Sequence, residues 1–169
     1  SGKGTPIVGS IGGEWLTIGL ARSGRTVPEG YYDNAVAYVK AEINTTTNRL
    51  DRNKSTDNAR LILALTAIGK DVTDVGGFDL LAGLDDMKYV KRQGTNGPVW
   101  TLIALDSHGY TPAGSVTRDA LVETILSLQK DSGAWYINST NTTDDVDMTA
   151  MAIQALAPYY KTNEAVKAA

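Results

Sequence analysis

Four stretches of this chain are apolar on nearly every side at helical spacing, and they recur at a near-constant interval. They span residues 14–24, 57–69, 98–109 and 147–159, and the first three stop at a glycine, a common C-terminal punctuation. Their starts, at Glu14, Asp57, Pro98 and Asp147, lie 43, 41 and 49 residues apart by subtraction. A helix that is apolar all round has to be covered on both flanks. The segments between them are amphipathic instead. Residues 31–44 align Tyr32, Ala35, Val36, Val39 and Ile43 on one stripe; residues 80–93 align Leu80, Leu84 and Met87; residues 117–129 align Leu121, Ile125 and Leu128. A repeat of roughly 40–50 residues, each a helical hairpin, predicts an all-α stacked or closed array. The apolar helices should form an inner layer and the amphipathic ones an outer layer. No strand is expected.

The rest of the composition bounds function mainly by exclusion. The chain of 169 residues suffices for one domain with a sizeable core. A net charge of -3, with no Lys/Arg cluster, argues against a nucleic-acid surface. There is no cysteine, so disulfides, thiolate metal sites and thiol catalysis are excluded. No run of about 18 uncharged apolar residues occurs to span a membrane. Residues 1–13, opening Ser1-Gly2-Lys3-Gly4-Thr5, read as a linker or cloning remnant with no recognisable signal peptide. Pro28 and Gly30 connect the first two helices. Residues 14–169 read as a single domain. Residues 164–169 read as the middle of a helix, so a fragment of a longer chain is expected.

The sharpest local motif is Gln129-x-x-x-Gly133-x-Trp135, followed by Asp145-Val146-Asp147-Met148-Thr149-Ala150. A glutamine at a helix end can bond free backbone groups, including donors at the start of the next helix. Gly133 allows a tight reversal and Trp135 lays a large flat surface over it. The pattern fastens one hairpin to the next. Gln93-x-x-x-Gly97-Pro98-Val99-Trp100 is a near copy with one extra residue.

These residues resemble the Gln-Trp motif of the squalene cyclase and prenyltransferase superfamily. Asp57-Asn58-Ala59 and Asp147-Met148-Thr149-Ala150 look like its Asp-x-Thr-Ala inner-helix starts. The resemblance implies a terpenoid cyclase-like α/α toroid with inner helices around a cavity. With four inner helices it would be incomplete, an arc completed by remaining repeats of the parent chain or by a second copy. In class II terpene cyclases the Asp-x-Asp-Asp-Thr-Ala signature carries an acid that protonates an alkene. The resemblance aligns that acid with Asp147 and its neighbour with Asp145, but Met148 stands at the fourth position. Such an acid must be held protonated in an apolar cavity. The competing reading is that Asp145 or Asp147 caps the helix, as Asp57 would in the second repeat.

Other chemistry finds little footing. The single histidine, His108, sits at a helix end, and the zinc sites of protein prenyltransferases need Asp, Cys and His. No cofactor is expected. A binding role has more to build on: the starts of the inner helices should ring one mouth of the cavity. That would gather Glu14, Trp15, Asp57, Asn58, Trp100, Asp145 and Asp147 as ligand-binding candidates, against the alternative that Trp15 and Trp100 are core. Aromatics beside carboxylates and amides suit an unidentified small molecule, a glycan or a protein segment. The Thr/Asn-rich loops, with four Asn-x-Ser/Thr matches at Asn44, Asn53, Asn138 and Asn141, suit a secreted or surface protein of a bacterium. The expectation is a non-catalytic binding or scaffolding domain, extracellular or at the cell surface. The rivals are a cyclase-like enzyme using Asp147 and a carrier of a cobalamin-type ligand.

Overall fold

The computed structural model describes residues 7–27 and 30–169, so Ser1-Gly2-Lys3-Gly4-Thr5 and Pro28 lie outside the described residues. Among these are eight α-helices and no strand: α1 (Ile11–Arg22), α2 (Asp33–Glu42), α3 (Ser55–Ala67), α4 (Met87–Val90), α5 (Asn96–Asp106), α6 (Arg118–Ser127), α7 (Val146–Leu156) and α8 (Glu164–Ala168). Strand-like pairing is limited to isolated bridges such as Trp135 with Asp145.

The four apolar stretches are α1, α3, α5 and α7. Helix α3 packs against both α1 and α5, and α5 packs in turn against α7 and α6. That sandwiching explains the apolar character on every side. Leu61, Ile62 and Leu65 of α3 and Val99, Leu102 and Leu105 of α5 are all buried. The covering helices carry one apolar stripe each. Helix α2 buries Ala35 and Val39 and leaves Asp33, Asn34, Lys40 and Glu42 exposed; α6 buries Leu121, Val122 and Ile125.

Two expectations change. The amphipathic stretch 80–93 is not one helix. It is a 3-10 turn (Ala82–Leu84), the short α4 and a second 3-10 turn (Lys91–Gln93). Asp79 and Asp86 cause the break, since their carboxylates accept bonds from the backbone N–H groups of Leu81 and Lys88 at 2.8 Å each, drawing the chain into turns. Gly83 adds a steric reason, because a Cβ there would run into the Asn48 carbonyl and the Asn58 amide. Residues 164–168, in turn, begin a helix: Asn163 caps α8 by accepting from Ala165 and Val166.

The hairpin fasteners are visible atom by atom. Trp135 is buried, its indole N–H donating to the Ile125 carbonyl at 2.7 Å, and its backbone N–H donating to Thr149 Oγ1 at 3.0 Å. One residue thus ties α6, through its side chain, to α7, through its backbone. Gly133 turns the chain at φ 83°. Gln129 does not reach the start of a helix; its amide donates to the carbonyls of Gly133 and Ala169. Gln93 does reach one. Its Oε1 accepts from the Thr56 backbone N–H at 3.0 Å, and its Nε2 donates to Thr56 Oγ1 at 3.1 Å. So the first turn of α3 is capped from 37 residues away, and Asp57, expected to cap it, instead pairs with Arg60 at 2.7 Å. In the Thr/Asn-rich loops, Asn44 and Asn138 bond their own downstream N–H groups, which makes these segments a run of Asx turns.

Candidate functional site: a groove between two tryptophans

The wall of one cavity is contributed by all four apolar helices and by residues just before three of them. Trp15 of α1, Arg60 of α3, Trp100 of α5 and Met151 of α7 all stand on it, with Thr56 and Asp57 of α3 and Asn96 of α5 beside them. Its volume is about 550 Å³, within the usual range for small-molecule sites. Trp15 and Trp100 meet edge to face, with ring centroids 5.4 Å apart. Trp15 is 42% exposed, so this pair is a surface on the groove and not a sealed core contact. A second cavity of about 310 Å³, walled by Ile18, Leu63, Ile103 and Gln154, lies on the far side of the same two rings. The tryptophan pair therefore forms a partition between the two spaces.

Polar groups face the first cavity from the helix starts: Lys54, Asp57, Gln93 and Asn96, with Ser10 from the cap of α1. Asp57 and Arg60 hold each other, and Arg60 also donates to Thr56 Oγ1 at 3.3 Å. The Arg60 Nε is buried and has no hydrogen-bond partner among the described residues. Burial raises the Tyr38 phenol above its ordinary value, and the charges of Asp57, Glu14 and Glu42 push it the same way.

The seven sequence candidates separate into three groups. Trp15, Asp57 and Trp100 line the groove. Glu14 and Asn58 are buried beneath it. Glu14 Oε1 accepts from the Gly9 N–H at 2.9 Å, while Oε2 has no partner among the described residues. The Asn58 amide is spent entirely on the fold: Oδ1 accepts from Leu50, and Nδ2 donates to the carbonyls of Asn48 and Leu80. Asp145 and Asp147 lie elsewhere. Asp145 is the N-cap of α7, accepting from Met148 at 2.8 Å, and borders a shallow apolar surface with Val146 and Ile153. Asp147 is exposed in the first turn, next to buried Met148. Nearby, Lys130 pairs with Asp144; that bond, and one from Ser132, holds Asp144 below the usual carboxylate range.

Sequence reading missed Lys54, Arg60, Gln93 and Asn96. An arginine inside the otherwise apolar run 57–69 was the available signal for Arg60. The near-copy of the Gln-Trp motif was the signal for Gln93. The assignment of Asp145 as a cap has a direct check. Asp145→Ala should lower stability by about 1 kcal/mol, whereas Asp147→Asn should change it little, as measured by urea denaturation. Equal effects from the two would contradict the cap. Among the described residues no group of His, Cys, Asp and Glu is arranged to hold a metal ion, and no helix is long and apolar enough to cross a membrane. No protein-family model, curated protein or solved structure matches the chain significantly.

Proposed function

We propose that this chain is a non-catalytic binding domain, built as a terpenoid cyclase-like array of helical hairpins and belonging to a secreted or surface protein. One observation carries the reading: two tryptophan rings and a set of polar side chains of both charges converge on a single groove formed by all four apolar helices. An aromatic pair gives a flat face for the apolar side of a ligand. Lys54, Asp57, Arg60, Gln93 and Asn96 supply donors and acceptors around it. That combination suits a polar organic ligand with a flat face, a short glycan or peptide. The Thr/Asn-rich loops support an extracellular setting. Asp147 favours binding over cyclase chemistry, because an alkene-protonating acid needs an apolar enclosure and Asp147 is exposed to water.

A thermal-shift panel tests this. It contains short glycans, peptidoglycan fragments, short peptides, cobalamins and prenyl diphosphates. A ligand that binds only the folded state raises the melting temperature. The expected result is a rise with a glycan or peptide that is lost in Trp100→Ala and in Trp15→Ala. No rise with any member, or a rise that survives both substitutions, overturns the proposal. A rise with a prenyl diphosphate that depends on Asp147 would point to the enzyme reading instead.

A further inference from the structure

The four apolar helices share a register, fixed by which residues face the cavities. Trp15, Arg60, Trp100 and Met151 line the first, and three residues later Ile18, Leu63, Ile103 and Gln154 line the second. From that register the two flanks of each helix can be compared.

On one flank, the residues just before and two after these positions are Glu14 and Thr17 in α1, Ala59 and Ile62 in α3, and Val99 and Leu102 in α5. Every one of them is buried. The same flank of α7 carries Val146, Ala150 and Ile153. Here Val146 is 84% exposed and Ile153 58%, and Ala150 is also exposed. The opposite flank behaves in mirror fashion. Leu61 and Ala64 of α3, Thr101 and Ala104 of α5, and Ala152 and Ala155 of α7 are buried. Their counterparts in α1 are Leu16, only partly buried, and Gly19, exposed with open space among the described residues where a Cβ would be. That last position is small in all four helices, as close helix approach requires. The seam itself is seen where Gly97 on this flank of α5 comes within 3.1 Å, at its Cβ site, of Ser55 on the other flank of α3.

The chain thus carries both halves of one seam, each uncovered, at opposite ends of its helix series. We infer that the apolar edge of α7 docks onto the open face of α1 of a second copy of this chain, head to tail. The interface continues the α3–α5 and α5–α7 seams with the same residue types at the same register. Because two different surfaces meet, the contact is heterologous, and it either closes a ring or extends. The association is independent of any ligand in the groove.

Sedimentation equilibrium of the whole chain tests it, with two substitutions at solvent-facing positions. Gly19→Arg fits the monomer, since that site is open, but blocks the α1 face. Ile153→Glu places a charge on the α7 edge. The wild type should show mass rising with concentration, and each variant alone should stay monomeric with an unchanged circular-dichroism spectrum. An equimolar mixture of the two should give a one-to-one dimer that grows no further, because each supplies the face the other lacks. A wild type that stays monomeric to its solubility limit overturns the inference. So does association that ignores both substitutions, or a mixture that fails to pair.

Discussion

Trp135→Ala should cost about 3–5 kcal/mol of folding stability, as expected for truncating a large buried aromatic. The indole of Trp135 is buried among the residues that join α6 to α7, and its N–H is bonded to the Ile125 carbonyl. Alanine leaves a cavity and takes one of two donors from the Ile125 carbonyl, which keeps its bond from the Leu128 N–H. Trp135→Phe separates the two contributions. It keeps most of the volume and loses the hydrogen bond, so its cost should fall to about 1–3 kcal/mol. Urea denaturation followed by far-ultraviolet circular dichroism measures both. If Trp135→Ala cost less than about 1 kcal/mol, the ring would not be the fastener between the hairpins.

Asn58 carries the second large effect. Its side chain makes three hydrogen bonds in a buried setting: from the Leu50 N–H at 2.9 Å, and to the carbonyls of Asn48 at 2.8 Å and Leu80 at 3.1 Å. It joins the loop before α3 to the segment after it. Asn58→Ala strands one donor and two acceptors, and should cost on the order of 3 kcal/mol. Asn58→Asp should be worse at neutral pH, because a carboxylate would face the two carbonyls that now receive an amide. A carboxyl forced into that place has its folded pKa raised, and its neutral form is favoured. Its destabilisation should therefore ease as the pH falls and grow as the pH rises. A stable Asn58→Ala protein with impaired ligand binding would instead make Asn58 a groove residue.

These two residues also show what the sequence could and could not reveal. The apolar helices were legible because burial on both flanks leaves a one-dimensional trace, apolar residues at every helical phase followed by a glycine. Trp135 was legible because its partners, Ile125 and Thr149, lie within 14 residues. Asn58 was not. It was grouped with the rim residues, but its partners sit in loops whose position depends on the whole fold. The same is true of the cap on α3. Asp57 had the right residue type in the right place, yet the first-turn donor was taken by Gln93 from a distant turn. The stretch 80–93 kept helical spacing of leucines, and the aspartates that break it act through short-range backbone bonds that hydrophobic periodicity ignores. In the groove, the tryptophans were legible as large aromatics near helix starts. Arg60 was hidden by its apolar neighbours, although a charged residue in such a helix must either find a partner or face a cavity. Here it does both.

The central claim is that ligand binding belongs to the groove of Trp15 and Trp100, and that Trp135 is structural. The chain has three tryptophans, so three indole N–H signals report on it directly. The most direct measurement is a proton–nitrogen correlation spectrum of these signals during titration with the panel of short glycans, peptidoglycan fragments and short peptides. The account predicts that at least one compound shifts the Trp15 and Trp100 signals together, in a saturable way, and leaves Trp135 in place. Saturable binding that moves only Trp135, or no movement of the Trp15 and Trp100 signals with any compound, would contradict it.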